Sequence, residues 1–182
     1  MTVSDPPSHK TIALVGLMGV GKSSIGRRLA NALGMPFRDA DHEIEAAAGC
    51  SVSEIFAKFG EAAFRDGERR VIARLLDAPP HVLATGGGAF SDPDTRRLIR
   101  AKAVSIWLRA DLEVLAARVR KRDTRPLLIG KEPMDVLRVQ AQDRYPTFAE
   151  ADLTIETGES PHHVAVEAIV KALASLAPAT AP

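Results

Sequence analysis

The chain has 182 residues, which is the size of a single domain and long enough to bury a substantial hydrophobic core. Lysine and arginine together number 24 against 23 aspartate and glutamate residues, so the net charge of +1 gives no electrostatic argument for a nucleic-acid or membrane partner. The single cysteine, Cys50, excludes an internal disulfide, so we expect a reducing compartment. No CxxC or HExxH spacing occurs, so we expect no structural zinc.

Both ends of the chain are expected to lie outside the folded domain. Residues 1–10 are polar and contain two prolines, so they predict a disordered extension without the apolar core of a signal peptide. Residues 177–182 are low in complexity and predict a frayed tail. Because no apolar run approaches membrane-spanning length, we expect a cytoplasmic protein. The length between the two ends predicts a single domain over residues 11–176.

Short apolar runs alternate with longer helical patterns along the whole chain. The predicted strands are residues 11–15, 36–39, 81–84, 103–108 and 153–155. Helix starts are predicted at a capping box of Ser51 with Glu54, and at Asp92-Pro93 and Ser160-Pro161. Because the connections are long enough for helical crossovers, this alternation predicts an α/β fold with a mostly parallel sheet.

A phosphate-binding loop follows the first predicted strand. Residues 16–23, GLMGVGKS, complete the pattern G-x-x-x-x-G-K-[ST] between an apolar run and an amphipathic helical pattern. Its glycines let successive backbone N–H groups point inward and form a nest for polyphosphate. Lys22 can reach the β- and γ-phosphates of a nucleotide, and the Ser23 hydroxyl can ligate the accompanying Mg²⁺.

Two acidic residues, Asp39 and Asp41, stand at the end of the second predicted strand. The carboxyl ends of strands in an open parallel sheet line the ligand crevice, so both carboxylates should face the phosphate loop. One could serve Mg²⁺ or its waters and the other an acceptor hydroxyl. An alternative is that Asp41 only caps a following helix over residues 43–48.

Three consecutive glycines follow the third predicted strand, within TGGGA at residues 85–89. They remove side chains from the crevice wall and would let a ligand approach the backbone. A triple glycine alone is a weak signal. At the carboxyl end of a strand beside a phosphate loop, it is a candidate floor for an acceptor site.

Arginines form a third group of candidate ligands. Arg65 and Arg144, in predicted helices, could each clamp a carboxylate or a phosphate through two hydrogen bonds. Arg118 lies in another helical pattern. Taken alone, each of the three arginines fits a solvated helix surface better than a binding site, and the charges at residues 68–70 indicate such a surface near Arg65.

Residues 123–133 interrupt the alternation between two helical patterns. Their proline, glycine and charge content predicts either a mobile flap or an ordinary loop between helices. In a phosphoryl-transfer enzyme, a flap would close over ATP and exclude water. Arg125 in this segment could then reach the transferring phosphoryl group.

Together these residues resemble the shikimate kinase family, a group of P-loop kinases that act on a small molecule. The phosphate loop alone is shared by all P-loop NTPases, but its combination with the other motifs is specific. The resemblance covers roughly residues 11–176. The residues that carry it, in the order of the family, are 16–30, the DAD at 39–41, Phe64-Arg65, the TGGGA at 85–89, RPLL at 125–128 and Arg144-Tyr145.

The resemblance implies an ATP-dependent kinase that transfers the γ-phosphoryl group of MgATP to the 3-hydroxyl of shikimate, in chorismate and aromatic amino-acid biosynthesis. It implies Mg²⁺ as cofactor, ATP and shikimate as partners, and a monomer. The implied fold is a three-layer P-loop NTPase domain, similar to nucleoside monophosphate kinases. Its five-stranded parallel sheet would have the order 2-3-1-4-5, with a mobile lid at about residues 123–133.

The resemblance also implies a role for each candidate residue. The catalytic group would be Asp41, Lys22 and Arg125. Shikimate would be held by Asp41, Arg65, Gly87 and Arg144. Mg²⁺ would be held by Ser23, with Asp39 acting through water. The nucleotide would be bound by Gly19, Val20, Gly21, Lys22, Ser23, Ser24, Arg118 and Arg125, with Arg118 against adenine.

Three positions depart from the family pattern. Ser24 replaces a common threonine, which is a mild change. Phe90 stands where a smaller aliphatic residue is usual and could reshape one wall of the pocket. Gly158-Glu159 occupies a region where some relatives supply a basic residue near adenine. None of the three removes a group that the chemistry needs.

The rival hypotheses are another small P-loop kinase, such as a gluconate kinase or a nucleoside monophosphate kinase, and a non-catalytic ATP-binding module. A nucleotide acceptor should require more basic groups for its phosphate and a pocket that reads its base. A non-catalytic module has no need for Asp41. The acidic pair, the glycines and the two arginines favour a small carboxylate-bearing alcohol.

Overall fold

The computed structural model describes residues 10–121, 128 and 130–176. The expected tail and almost all of the expected N-terminal extension lie outside these residues, as does most of the predicted lid. Within the described part of the chain, no helix is long and apolar enough to cross a bilayer.

A five-stranded sheet forms the centre of the fold, and all its pairings are parallel. The strand order β2-β3-β1-β4-β5 confirms the predicted topology. The predicted strands differ from the observed ones by one residue at most. The strands are β1 Thr11–Val15, β2 Phe37–Asp39, β3 Val82–Ala84, β4 Ala103–Arg109 and β5 Leu153–Glu156.

Helices fill the connections between the strands, which confirms the expected crossovers. They are α1 Lys22–Leu33, α2 Ala40–Ala48, α3 Val52–Leu76, α4 Pro93–Lys102, α5 Leu112–Arg120, α6 Pro133–Phe148 and α7 His162–Leu176, with a short 3₁₀ turn at Ala89–Ser91. The predicted capping box is present, because the Ser51 hydroxyl accepts the Glu54 N–H while the Glu54 carboxylate accepts the Ser51 N–H. Asp92 caps α4 with Pro93 in its first turn, as predicted.

The apolar core lies on both faces of the sheet. All five residues of β1 are buried, which explains why this strand reads as an unbroken apolar run rather than an alternating one. Ile25 and Leu29 of α1 are fully buried on one apolar helix face. Pairing with β3 on one side and β4 on the other places β1 in the middle of the sheet, and the segment that leaves its carboxyl end is the phosphate loop.

Helix α3 bends at Gly60, where φ is 81° and ψ is 175°. This backbone conformation is open to glycine and costly for other residues. The bend separates a first segment that begins at the capping box from a second segment that carries Arg65 and Glu68. Both segments contribute to the wall of one cavity described below.

Candidate active site

The phosphate loop turns tightly between β1 and α1. Gly21, the residue before α1, has a φ of 99°, in the left-handed region that glycine tolerates. A Cβ on Gly19 would lie 2.8 Å from the Val119 side chain, so helix α5 packs directly against the loop. The Lys22 ammonium donates hydrogen bonds to the carbonyls of Gly16 at 2.7 Å and Leu17 at 2.9 Å. The lysine therefore lies over the loop whose N–H groups form the predicted nest.

Asp39 links the phosphate loop to the start of α2. The Ser23 hydroxyl donates a hydrogen bond of 2.5 Å to one carboxylate oxygen of Asp39. The other oxygen accepts the backbone N–H groups of Asp41 at 3.1 Å and His42 at 3.4 Å. Asp39 is therefore the N-cap of α2, which starts at Ala40. The alternative in which Asp41 caps a helix over residues 43–48 is wrong.

Two cavities open at the carboxyl edge of the sheet and share Asp41 and Gly87. One, of about 350 Å³, contains the phosphate loop and is called the donor cavity. The other, of about 520 Å³, contains the predicted arginine pair and is called the acceptor cavity. The donor cavity is lined by Gly19, Gly21, Lys22, Ser23, Ser24, Asp39, Asp41, Thr85, Gly87, Arg118, Val119, Lys121 and His162. The acceptor cavity is lined by Met18, Asp41, Glu45, Ser51, Val52, Ser53, Phe56, Phe64, Arg65, Glu68, Gly86, Gly87, Gly88 and Arg144.

The acceptor cavity contains both predicted arginines, and each is held by a protein acceptor. Arg65 donates to Glu68 at 2.8 Å and pairs with Glu61 at 3.4 Å. Arg144 donates to the Gly87 carbonyl at 2.9 Å. Burial lowers the pKa of Arg65, but the attraction of Glu68 and Glu61 outweighs it and leaves that pKa raised. Burial and the nearby Arg65 lower the pKa of Arg144.

Glu68 is a site residue that the sequence did not reveal. The surface expected at residues 68–70 is wrong at this position, because Glu68 is only 2% exposed. Burial raises the pKa of its carboxyl group, against the opposing attraction of Arg65. Its three-residue spacing from Arg65 on one helix face is the signal that could have identified the pair.

The three glycines form part of a cavity wall, and two of them leave room for charged side chains that pack against the backbone. A Cβ on Gly86 would clash with the Glu68 carboxylate, and one on Gly88 would lie 2.8 Å from the Arg65 guanidinium. Gly87 alone of the three lines both cavities. The predicted floor of an acceptor site is therefore a close-packed surface of backbone and two charged side chains.

Arg118 is not a simple surface charge. It donates to the Gly158 carbonyl at 2.6 Å, and to the carbonyls of Gly19 at 3.4 Å and Val20 at 3.5 Å. The side chain thus joins α5, the phosphate loop and the segment after β5 at the wall of the donor cavity. The backbone of Gly158 supplies one of its acceptors.

Phe90 does not reshape the pocket. It is 1% exposed, and its ring centroid lies 6.4 Å from that of Phe148 in the core. It therefore packs behind the crevice wall rather than in it.

Arg125 falls outside the described residues, so its predicted contact stays a prediction.

Ser23 and Asp39 provide hard oxygen atoms beside the phosphate loop, which suit Mg²⁺. No group of three or more histidine, cysteine, aspartate or glutamate side chains that could hold a metal by itself occurs among the described residues. A cation at this position would therefore complete its shell with phosphate oxygens and water, as Mg²⁺ commonly does in nucleotide sites.

The chain is similar in sequence to known proteins of one family. A family model described as Shikimate kinase matches residues 18–174. A shikimate kinase of Caulobacter vibrioides is 69% identical over 168 residues, which are 92% of this chain and 84% of the relative. One from Paramagnetospirillum magneticum is 56% identical over 164 residues, 90% of this chain and 84% of the relative.

Solved structures show the same fold. A shikimate kinase from Acinetobacter baumannii, in complex with shikimate, superposes with a TM-score of 0.89 at 36% identity and covers 93% of this chain and 95% of its own. A gluconokinase from Sinorhizobium meliloti has a TM-score of 0.61 at 22% identity, with 93% and 94% of the two chains covered. The second likeness concerns the fold alone.

Proposed function

The chain belongs to the shikimate kinase family, and we propose that it binds ATP in the donor cavity and shikimate in the acceptor cavity, with transfer to the 3-hydroxyl beside Asp41. The observation that carries this assignment is that the two cavities share Asp41 and Gly87. Reactants held in adjoining cavities react as if in one molecule, which removes much of the entropic cost of their encounter.

The donor cavity suits the triphosphate of ATP. Helix α1 begins at Lys22, so the backbone N–H groups of its first turn and its positive dipole end lie at the cavity that Gly21 and Lys22 line. The Lys22 ammonium lies at the same place and can exchange its loop carbonyls for phosphate oxygens. On the basis of the resemblance, Arg125 adds a second cation to the phosphates.

Ser23 and Asp39 are the residues that would hold Mg²⁺, with Asp39 acting through a water molecule. When bound, the ion supplies charge neutralisation on the β- and γ-phosphates. Ser23 lies at the start of α1 and Asp39 at the end of β2, so regular secondary structure fixes the positions of both candidate metal ligands. Their hydrogen bond of 2.5 Å keeps the two oxygen atoms on the same side of the loop.

The acceptor cavity suits a small anion that carries hydroxyl groups. Arg65 and Arg144 supply two guanidinium groups, and shikimate supplies one carboxylate that can accept bidentate hydrogen bonds. Because Glu68 and Glu61 pair with Arg65, and the Gly87 carbonyl accepts from Arg144, both guanidinium groups are oriented before a ligand arrives. Such preorganisation lowers the ordering cost of binding.

Asp41 has the position and the chemistry to orient the acceptor hydroxyl. It lines both cavities, and its backbone N–H is fixed by the Asp39 carboxylate. Phosphoryl transfer proceeds through a loose transition state in most analyses, so it needs little proton removal before the new bond forms. Asp41 therefore aligns the hydroxyl with the γ-phosphorus and accepts its proton as transfer is completed.

A coupled kinase assay with MgATP tests the proposal by offering shikimate, gluconate and nucleoside monophosphates as separate acceptors. Of the three acceptors, we expect only shikimate to cause ADP release. Mass spectrometry and phosphorus NMR should then show a product phosphorylated at the 3-hydroxyl. Turnover with gluconate or a nucleotide but not with shikimate would contradict the assignment. Nucleotide binding without turnover on any acceptor would favour the non-catalytic alternative.

A cytoplasmic location and a monomeric state are proposed on the resemblance.

A further inference from the structure

The 3₁₀ turn after the triple glycine is held by an arginine that lines neither cavity. Arg96, near the start of α4, donates hydrogen bonds to the backbone carbonyls of Phe90 at 3.1 Å and Ser91 at 3.3 Å. Its side chain is 20% exposed, so these charge-assisted hydrogen bonds are largely shielded from water. The arginine therefore fixes the position of the turn from outside the crevice.

The 3₁₀ turn is itself built on the backbone of the triple glycine. The Ala89 N–H donates to the Gly86 carbonyl at 3.2 Å, and the Ser91 N–H donates to the Gly88 carbonyl at 3.1 Å. Because these hydrogen bonds begin on either side of Gly87, a displacement of the turn also displaces the Gly87 backbone. The position of the floor of the acceptor cavity thus depends on what holds the turn.

A second nitrogen of the Arg96 guanidinium reaches the end of α6. Its Nε atom pairs with the Glu150 carboxylate at 3.4 Å, two residues beyond the last residue of that helix. The Glu150 N–H donates to the Thr147 carbonyl at 3.1 Å, so Glu150 is tied to the helix that carries Arg144. Arg144 in turn donates to the Gly87 carbonyl at 2.9 Å. These contacts close a ring from the triple glycine through the 3₁₀ turn, Arg96 and α6 back to the triple glycine.

We propose that Arg96 is a positioning residue for the acceptor cavity: by holding the 3₁₀ turn to the end of α6, it sets the spacing between the Gly87 backbone and the Arg144 guanidinium. The inference rests on the proposed function, because it takes shikimate as the ligand of that cavity. Two parallel hydrogen bonds to a carboxylate tolerate little displacement of their donors, so the support behind a donor affects affinity. Arg96 touches neither substrate and acts through Gly87 and Arg144.

Direct titration with shikimate compares Arg96→Met with Arg100→Met. Methionine keeps much of the aliphatic stem of arginine and removes every donor, so we expect Arg96→Met to weaken shikimate binding about tenfold. Arg100 also pairs with Glu150, at 3.0 Å, but among the described contacts it donates to no carbonyl of the 3₁₀ turn. Arg100→Met is therefore the matched control and should bind shikimate within about twofold of the unchanged protein. All three proteins should bind MgADP equally well.

Steady-state kinetics distinguish positioning from a general loss of folded protein. A smaller folded fraction would lower kcat and leave the KM for shikimate unchanged, whereas a displaced Arg144 should raise that KM with little change in kcat. Arg96→Lys gives a milder variant, because a compact ammonium spans the turn and Glu150 less well than the planar guanidinium. We expect it to bind shikimate about threefold more weakly than the unchanged protein.

Thermal unfolding of each variant confirms that the molecules compared are folded. Unchanged shikimate affinity in folded Arg96→Met would overturn the inference and leave the proposed function intact, as would an equal loss of affinity in Arg100→Met. If Arg96→Met did not fold, unchanged affinity in Arg96→Lys would overturn the inference, and a loss of affinity there would support it. Failure of the unchanged protein to bind shikimate would overturn the proposed function and the inference together.

Discussion

The Ser23 hydroxyl donates a hydrogen bond to the same Asp39 carboxylate that accepts the first backbone N–H groups of α2. One side chain thus serves both the phosphate loop and the end of a helix. Its two oxygen atoms divide these tasks, since Oδ2 faces Ser23 and Oδ1 faces the helix. A substitution that changes charge but keeps an oxygen atom can separate them.

Asp39→Asn should impair the use of Mg²⁺ while leaving the fold intact. Asparagine caps helices about as well as aspartate, so we expect the free energy of unfolding to change by less than about 0.5 kcal/mol. The loss of a negative charge beside the metal position should raise the Mg²⁺ concentration needed for half-maximal rate severalfold. Initial rates over a Mg²⁺ titration, together with chemical unfolding, measure both effects. Equal Mg²⁺ dependence in the two proteins would reject the metal role.

Asp41→Asn should lower kcat by about 10²-fold or more, because the acceptor hydroxyl loses the carboxylate that aligns it and accepts its proton. MgATP affinity should change little, because the Lys22 and Ser23 contacts remain. Single-turnover rates and a nucleotide titration separate the two quantities. Asp94→Asn, at an exposed carboxylate on α4, is the control and should retain full activity. A variant at Asp41 with normal turnover would remove this residue from the catalytic group.

Gly88→Ala should weaken shikimate binding selectively. Its methyl group would lie 2.8 Å from the Arg65 guanidinium, so the guanidinium must move away from the position that Glu68 gives it. We expect the KM for shikimate to rise about tenfold or more, as for a displaced charge partner, with an unchanged KM for ATP. Steady-state kinetics with each substrate varied in turn provide the measurement.

Gly67→Ala is the matched control for the glycine prediction. Apart from its chain neighbours and its own helix backbone, a Cβ on Gly67 would meet no atom of the described residues within 4 Å, and the residue lies inside α3. The substitution should therefore leave both KM values unchanged and stabilise the protein by about 0.5–1 kcal/mol through helix propensity. If Gly67→Ala and Gly88→Ala changed shikimate binding alike, the effect would come from α3 or the fold in general and not from Arg65.

Glu68 should make the protein less stable as the pH rises above 4.5, the ordinary pKa of a glutamate. Burial raises the pKa of Glu68 in the native state, so the folded protein holds this proton over a pH range where the unfolded chain has lost it. The stabilisation is complete below the unfolded pKa and is lost as the pH rises through the native one.

Chemical unfolding of the unchanged protein and Glu68→Gln between pH 4 and 7 tests this dependence. The free energy of unfolding of the unchanged protein should fall relative to the variant by up to about 1.4 kcal/mol per pH unit within the window. Glu54→Gln, measured as the pH falls below 4.5, gives a control of opposite sign, because the backbone hydrogen bond from Ser51 lowers the pKa of Glu54 and its stabilisation is lost at acid pH. A difference between the unchanged protein and Glu68→Gln that stays constant with pH would contradict the raised pKa.

The sheet could be predicted because its signals are local. Residues 11–15 form an apolar run followed at once by the phosphate loop, and the structure gives β1 the same bounds. The capping box at Ser51 and Glu54 needs only three residues of separation, and it is present. The strand order came from the family resemblance, because short strands such as β2 and β3 carry too few side chains to specify their neighbours.

The site residues that escaped prediction depend on contacts between distant segments. Glu68 reads as part of a charged helix surface, and its burial becomes possible only because Gly86 leaves room for its carboxylate. Arg118 differs, because the family resemblance predicted it as a nucleotide-binding residue although its helical pattern alone indicates a surface charge. Its hydrogen bonds to the carbonyl groups of the phosphate loop and of Gly158 also join distant segments. His162 belongs to no motif, and only the packing of α7 against α1 brings it to Gly21.

The common wall of the two cavities has a thermodynamic consequence. Because Asp41 and Gly87 line both cavities, and Gly87 also accepts from Arg144, a ligand in one cavity would alter groups that a ligand in the other meets. Any factor by which ATP changes the affinity for shikimate must then equal the factor by which shikimate changes the affinity for ATP. The donor and acceptor subsites are thus energetically reciprocal, and the order in which they fill cannot alter the stability of the ternary complex.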